Sequence, residues 1–173
     1  MPALKISKIS RAAFAPFGEV IMLDGAQKFA INEGTSQRFH ALATADTSAQ
    51  NGQTILSLFR AQPRTLPLKI SMMERHPLGS QAFLPMTHSH VDEYLVLVAP
   101  AGDFDASQLR AFLCQGFQGV NFAKGVWHHP LIALEKVSDF IVMDRNGAGD
   151  NCEETQLEKE FWLTEEGIAA ACS

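Results

Sequence analysis

Cysteine is scarce: three stand in 173 residues, at positions 114, 152 and 172, and no two form a Cys-x-x-Cys pair. An odd, widely spaced set excludes a disulfide-stapled scaffold and a thiolate zinc site, and it implies a reducing compartment. Clustered positive charge is missing too. The 14 Lys and Arg are scattered along a chain of net charge −5, so neither nucleic acid nor an anionic membrane surface is an expected partner. No apolar run approaches the ~20 residues that span a bilayer. The opening MPALKISKISRAAF also lacks the sustained apolar core of a secretory signal, and the expected location is cytoplasmic. Without internal repeats, low-complexity tracts or charge blocks there is no place for a linker, so residues 1–173 are expected to form a single domain. Its 46% hydrophobic and 19% charged residues suit a globular protein that buries its own core. A small molecule is the expected partner.

What the chain does contain is a succession of short apolar runs: GEVIML, FAINEG, TILSLFRAQP, PLKISMME, SQAFLPM, EYLVLVAP, LRAFLCQG, GVNFAKG, VWHHPLIALE and SDFIVMDRNG. Turn residues separate them, the signature of a β-barrel or sandwich. Leu4 and Ile6 suggest an opening strand, and Ser10 can cap a short helix through Phe14 that Pro16 and Gly18 end. The acidic stretch from Glu153 to Glu166 is compatible with a helix packed along the outside, although its FWLTEEG segment mixes the pattern.

Chemistry concentrates in the histidines. In ERHPLGSQAFLPMTHSH, His88 and His90 stand two residues apart on an expected strand and so share a face. In GVWHHPL, His128 and His129 project to opposite faces, and His128, on the side of Val126, can turn toward the first pair. Three imidazoles from two strands can hold a divalent metal or move protons near neutral pH. The plainer reading of His88 and His90 is exposed hairpin polarity among Thr87, Ser89, Asp92 and Glu93, and that of His129 is structural. His76 precedes Pro77, which holds it extended, for catalysis or for a turn-orienting hydrogen bond. Arg60 shares a face with Leu56 and Leu58 at the rim of a buried surface, where it can clamp an anion or pair with Glu74. Gln81, on the side of Phe83, can donate to a ligand carbonyl or to the backbone. Asp144 and Arg145 suggest a pair that locks the following Gly-rich turn, and Asn32 and Arg38 flank a turn at Gly34 from which a dimer partner is within reach.

His-x-His on one strand and Gly125-x-x-His128 on a later hairpin resemble the cupins, small double-stranded β-barrels with the site inside. In them the first motif supplies two histidines and, four or five residues after the second, a carboxylate. Here Tyr94 and Leu95 stand where that carboxylate belongs, and Ala123 stands where the second motif has proline. Longer strings carry a closer resemblance. FAINEG, the RAQP of residues 60–63, ERHPLGSQAFLPM, GVNFAKGVWHHPL and DFIVMDRNGAGDNCEE are together similar to the ureidoglycolate lyase family of allantoin catabolism.

That resemblance implies a mainly β, cupin-like double-stranded β-barrel with short peripheral helices. It also implies a homodimer that cleaves ureidoglycolate into glyoxylate and urea. The family's association with nickel implies a divalent metal, for which His88, His90 and His128 are the candidate ligands. The hairpin after Pro85 and Met86 varies in the family, which leaves a metal-independent route open. Such a cleavage needs a near-neutral base, a proton donor at the leaving nitrogen and a cationic clamp on the carboxylate. His128 or His76 is the candidate base, Arg60 or Arg75 the clamp, and Gln81 a further substrate-binding group. Two other classes fit the histidines alone: a metal-dependent cupin oxygenase or isomerase, and a noncatalytic cupin that binds small acids.

Overall fold

Alternation of apolar side chains at period two governs most of this chain. The computed structural model describes residues 3–87 and 89–173. In order along the sequence come β1 (Ile6–Lys8), α1 (Arg11–Phe14), β2 (Gly18–Ile21), β3 (Gln27–Ile31), β4 (Ser36–His40), β5 (Gln53–Ala61), β6 (Leu68–Arg75), β7 (Gln81–Pro85) and β8 (Glu93–Ala99). There follow β9 (Arg110–Gln115), β10 (Gly119–Phe122), β11 (Trp127–His128), β12 (Ile132–Ala133), β13 (Ser138–Asn146), β14 (Glu153–Leu163) and α2 (Glu165–Cys172). The fold is the expected mainly β, cupin-like barrel. One sheet runs β1-β9-β8-β11-β6-β14 with β12 beside β8, the second runs β2-β10-β7-β13-β5, and β3 and β4 form a separate hairpin.

The two sheets face each other across an aromatic core. Tyr94, Val96 and Val98 of β8 and Phe112 and Cys114 of β9 meet Val20, Phe83, Val120, Phe122, Phe140 and Val142 of the opposite sheet. The other residues of β8, Leu95, Leu97 and Ala99, are equally buried, in a second cluster with Ile70, Leu113, Leu163 and, from α2, Ile168 and Ala171. Strands covered on both faces read as continuous apolar runs, as EYLVLVA does. At Gly18, with φ +141°, a Cβ would lie 1.9 Å from the carbonyl oxygen of Asn121, so glycine is required where β2 meets β10.

Both helices start on side-chain caps. The Ser10 hydroxyl accepts from the Ala13 amide at 3.2 Å, as expected, and the Thr164 hydroxyl accepts from Gly167 at 3.1 Å. Glu165 and Glu166 stand in the first turn of α2, where the helix dipole favours negative charge.

Two expectations fail. The acidic stretch from Glu153 is not helical, because β14 pairs antiparallel with the whole length of β6 and covers what would be an exposed edge. Nor does His90 lie on a strand: β7 ends at Pro85, β8 begins at Glu93, and the Thr87 hydroxyl bonds the Ser89 amide and the Asp92 carboxylate to close a turn between them. His88 lies outside the described residues.

Phe14 is fully buried, its ring 5.7 Å from that of Phe112, 5.9 Å from Phe17 and 6.1 Å from Phe122. Phe14→Ala is expected to cost about 3–5 kcal/mol of unfolding free energy. Val91→Ala, at a site 79% exposed, should stay within about 0.5 kcal/mol. Urea denaturation followed by circular dichroism checks both, and an unshifted midpoint for Phe14→Ala would contradict the packing described.

Candidate active site

The short strand β11 sets the site. His128 is the direct antiparallel partner of Glu74, and opposed residues on neighbouring strands project from the same face. The His128 ring is buried and lies flat against Phe122, with centroids 4.4 Å apart and planes 12° from parallel. One residue beyond β6 comes His76, whose ring centroid is 5.1 Å from that of His128. The nitrogen and oxygen atoms that Glu74, His76 and His128 can offer all lie within 4.8 Å of one another.

Backbone carbonyls fix both rings. His128 Nδ1 is 3.0 Å from the Val126 carbonyl oxygen and His76 Nδ1 is 2.6 Å from that of Asn151. A carbonyl only accepts, so each neutral ring carries its proton on Nδ1 and turns a bare Nε2 lone pair inward. Both Nε2 atoms are buried and, among the described residues, have no hydrogen-bond partner. Asn151 is itself anchored, its side-chain oxygen accepting from the Leu78 amide at 2.8 Å. The loop that carries Asn151 is held by buried Arg145, which donates to the carbonyls of Ala49 at 2.9 Å and Ala148 at 2.7 Å. Glycine is needed around that side chain: a Cβ at Gly79 would lie 2.7 Å from Arg145 Cβ, and one at Gly52 would lie 2.3 Å from Nε.

Burial, reinforced by the neighbouring His76, pushes the His128 imidazolium down to about 3, against the raising effect of the Val126 carbonyl. The ring is therefore neutral near pH 7, and its 3.6 Å approach to a Glu74 carboxyl oxygen is not an ion pair there. Burial also raises the Glu74 carboxyl, against the opposing pull of His76. A cavity of about 160 Å³ opens here, walled by Glu74, Gln81 and His128 among apolar Phe59, Phe83, Leu131 and Phe140. A wider cleft of about 540 Å³ shares Arg60 and Phe140 with it. Of its charged groups, Lys136 pairs with Asp92 at 2.7 Å, Arg60 pairs with Asp139 at 2.8 Å, and Glu93 accepts from the Gln115 amide.

Two imidazole Nε2 atoms and a carboxyl, with no hydrogen bond between them among the described residues, form a donor set that fits a divalent cation such as nickel or zinc. Of the expected ligands among the described residues, His128 belongs to it and His90 does not. His90 packs edge-on against Phe117 at 5.0 Å, beside the start of β8, whereas His128 pairs with Val98 near its end. Five strand steps separate those ends, about 17 Å. Glu74 and His76 stand where the His-x-His pair was sought. The spacing was legible: on an extended chain Glu74 and His76, two residues apart, project to the same face.

The arginines are placed otherwise than a clamp requires. Arg60 turns its fork outward to Asp139, with both contacts at 2.8 Å, and not to Glu74. Arg75, alternating with Glu74 along β6, faces the other way, bonds Glu153 and the Gly102 carbonyl at 2.7 Å each, and covers Trp127. Gln81 is buried at the cavity wall, its amide nitrogen 3.4 Å from Asp144. His129 donates to or accepts from no other imidazole and sits 2.7 Å from the Pro130 carbonyl.

Comparison with known proteins gives consistent matches. A family model described as ureidoglycolate lyase covers residues 1–164. Proteins named ureidoglycolate lyase are similar over nearly all of the chain. That of Burkholderia mallei (strain NCTC 10229) is 56% identical over 98% of both chains. That of Burkholderia cepacia is 56% identical over 98% of this chain and 94% of its own. That of Pseudomonas fluorescens (strain Pf0-1) is 50% identical over 89% and 91%. Among solved structures, a dTDP sugar isomerase of Desulfovibrio desulfuricans G20 aligns with TM-score 0.42 at 14% identity, over 77% of this chain and 85% of that one. Bacillus subtilis oxalate decarboxylase aligns with TM-score 0.40 at 10% identity, over 65% and 27%.

Because the folded His128 titrates near 3 and an unfolded one near 6.5, between those values the unfolded chain binds a proton that the folded chain does not. Stability from this group is thus lost as pH falls from 6.5 toward 3. In chelator-treated protein, the unfolding free energy relative to a His128→Leu variant should fall over that window. Denaturant titrations at several pH values measure it, and a constant difference would mean that His128 is not held neutral. Glu74 is present in both proteins and cancels.

Proposed function

Since the chain belongs to the ureidoglycolate lyase family, it is a carbon–nitrogen lyase, and we propose that it splits ureidoglycolate into glyoxylate and urea in the cavity walled by Glu74, Gln81 and His128. The observation that carries this reading is the pair of buried, unpartnered imidazole lone pairs beside a carboxyl whose burial favours its protonated form.

Ureidoglycolate is a carbinolamide: one carbon bears the carboxylate, a hydroxyl and the ureido nitrogen. Its cleavage moves the hydroxyl proton to that nitrogen while the C–N bond breaks and the C–O bond becomes a carbonyl. No nucleophile is consumed. His128 Nε2 accepts the hydroxyl proton, a step for which a neutral ring is required. Glu74 delivers a proton to the departing nitrogen, and the proton taken by His128 returns to Glu74 across 3.6 Å. Gln81 donates its amide to the ureido carbonyl, and His76 stands beside His128, the ring centroids 5.1 Å apart. Phe59, Phe83 and Phe140 exclude water and so strengthen each polar contact. In the alternative, metal-assisted route Glu74, His76 and His128 would instead hold a divalent cation, taken to be nickel from the family resemblance, which would supply a Lewis acid that lowers the pKa of the substrate hydroxyl in place of the His128 base.

We take the setting to be allantoin catabolism in the cytoplasm, by a homodimer, as the family resemblance implies. Among the described residues no helix is long and apolar enough to cross a membrane. The homodimer has support in a bare face of the second sheet, where Leu56 is 70% exposed, Leu58 54% and Ile141 39%.

A coupled assay of urea and glyoxylate release tests the activity, and absence of both products from the purified protein would end this reading. His128→Ala is expected to lose roughly 100- to 10,000-fold in turnover. His90→Ala should keep full turnover and metal content. If a cation takes part, His76→Ala and Glu74→Ala should lower bound metal and turnover together, and chelation should abolish activity that nickel restores. Loss of activity in His90→Ala with His128→Ala unaffected would move the site away from this cavity.

A further inference from the structure

The substrate of the proposed reaction is a carboxylate, and the cavity of one protomer offers it no uncommitted guanidinium. Arg60 is forked to Asp139, and Arg75 bonds Glu153 on the opposite side of β6. A cation is available elsewhere. The β3–β4 hairpin lies off both sheets, and every residue of β3 is exposed. Two-stranded hairpins with nothing packed against them are marginal in water, yet this one carries Phe29 at 42% exposure and Ile31 at 39%. The pairing puts Arg38 directly opposite Phe29 on that same apolar side. Arg38 is exposed and, among the described residues, no carboxylate pairs with it. With Lys28 and Arg38 against Glu33, the hairpin is a net positive segment on a chain of charge −5.

A matching surface lies at β5. It ends its sheet, so one long edge of a nine-residue strand has no strand beside it. Both of its faces are bare as well: Leu56 and Leu58 outside, Ile55 at 38% and Phe59 at 43% inside. Phe59, Arg60 and Ala61 of this strand also line the cavity. The uncovered edge strand is thus also a wall of the cavity. A long apolar edge strand left open is an aggregation hazard that folds ordinarily cover.

We propose that in the homodimer the β3–β4 hairpin of each protomer lies over β5 of the other and brings Arg38 to the mouth of the partner's cavity, where it clamps the substrate carboxylate. A two-fold axis satisfies both hairpins and both edges at once, giving a closed assembly. The anionic substrate and the net negative body both attract this positive arm. The inference rests on the lyase reading and on the homodimer proposed with it.

Arg38→Ala should remain dimeric by sedimentation and raise KM for ureidoglycolate roughly 10- to 150-fold, the range expected for loss of a charge-assisted hydrogen bond. Complementation separates a shared site from a private one. Arg38→Ala and His128→Ala chains, differently tagged and co-expressed, yield a heterodimer in which one cavity combines intact His128 with the partner's intact Arg38. At substrate far below KM it should recover about half of the wild-type rate, since one of two sites is restored by the symmetry of the pair. No recovery above the parents, a monomeric wild type, or an unchanged KM in Arg38→Ala overturns the proposal. Wild type that releases neither urea nor glyoxylate overturns instead the lyase reading on which it rests.

Discussion

Burial of both faces of β8 is the constraint on which the molecule depends. Tyr94, Val96 and Val98 need one covering layer and Leu95, Leu97 and Ala99 another. The second sheet supplies the first layer. The chain's two ends supply much of the other, with Ile6 from the start and Leu163, Ile168 and Ala171 from the finish. The result is a rigid central sheet, and β11 is added to it through His128↔Val98 while reaching β6 through His128↔Glu74. A two-residue strand could not hold a side chain in place by itself. Between two buried neighbours it can.

The site's chemistry follows from that enclosure. A buried imidazole whose Nδ1 proton is held by a carbonyl has no freedom to change tautomer, and both rings here are held so. Low polarity around them disfavours the imidazolium and the carboxylate alike, and it drives His128 and Glu74 toward their uncharged forms. The two ends of the proposed proton relay, 3.6 Å apart, are thus biased by one cause.

Strand content and the covered strand EYLVLVA were legible from period-two alternation, and so was the Ser10 cap. The register was not. Whether Glu153–Leu163 becomes helix or strand depends on β6 lacking a neighbour, a fact of tertiary structure that the acidic local sequence opposes. The site was half legible. Gln81 and His128 line the cavity and His76 stands beside them, whereas Glu74 carries no sequence signal as conspicuous as the His88-Ser89-His90 pattern. Side-chain type was read where side-chain position mattered. Arg60 shows the same error from the other direction: alternation placed it on the side of Leu56 and Leu58, and that side proved to be the outer one, where Asp139 waits.

The orientation of His76 is inherited from a distance. Its carbonyl partner belongs to Asn151, in the loop that Arg145 ties to Ala148, and Arg145 in turn lies in a cradle that admits no side chain at Gly52 or Gly79. The aim of the His76 ring is therefore stored in backbone outside the cavity lining. A methyl group added at either glycine displaces the guanidinium first, the loop second and the imidazole last, so damage there would register as a mis-aimed lone pair in a barrel that is otherwise intact.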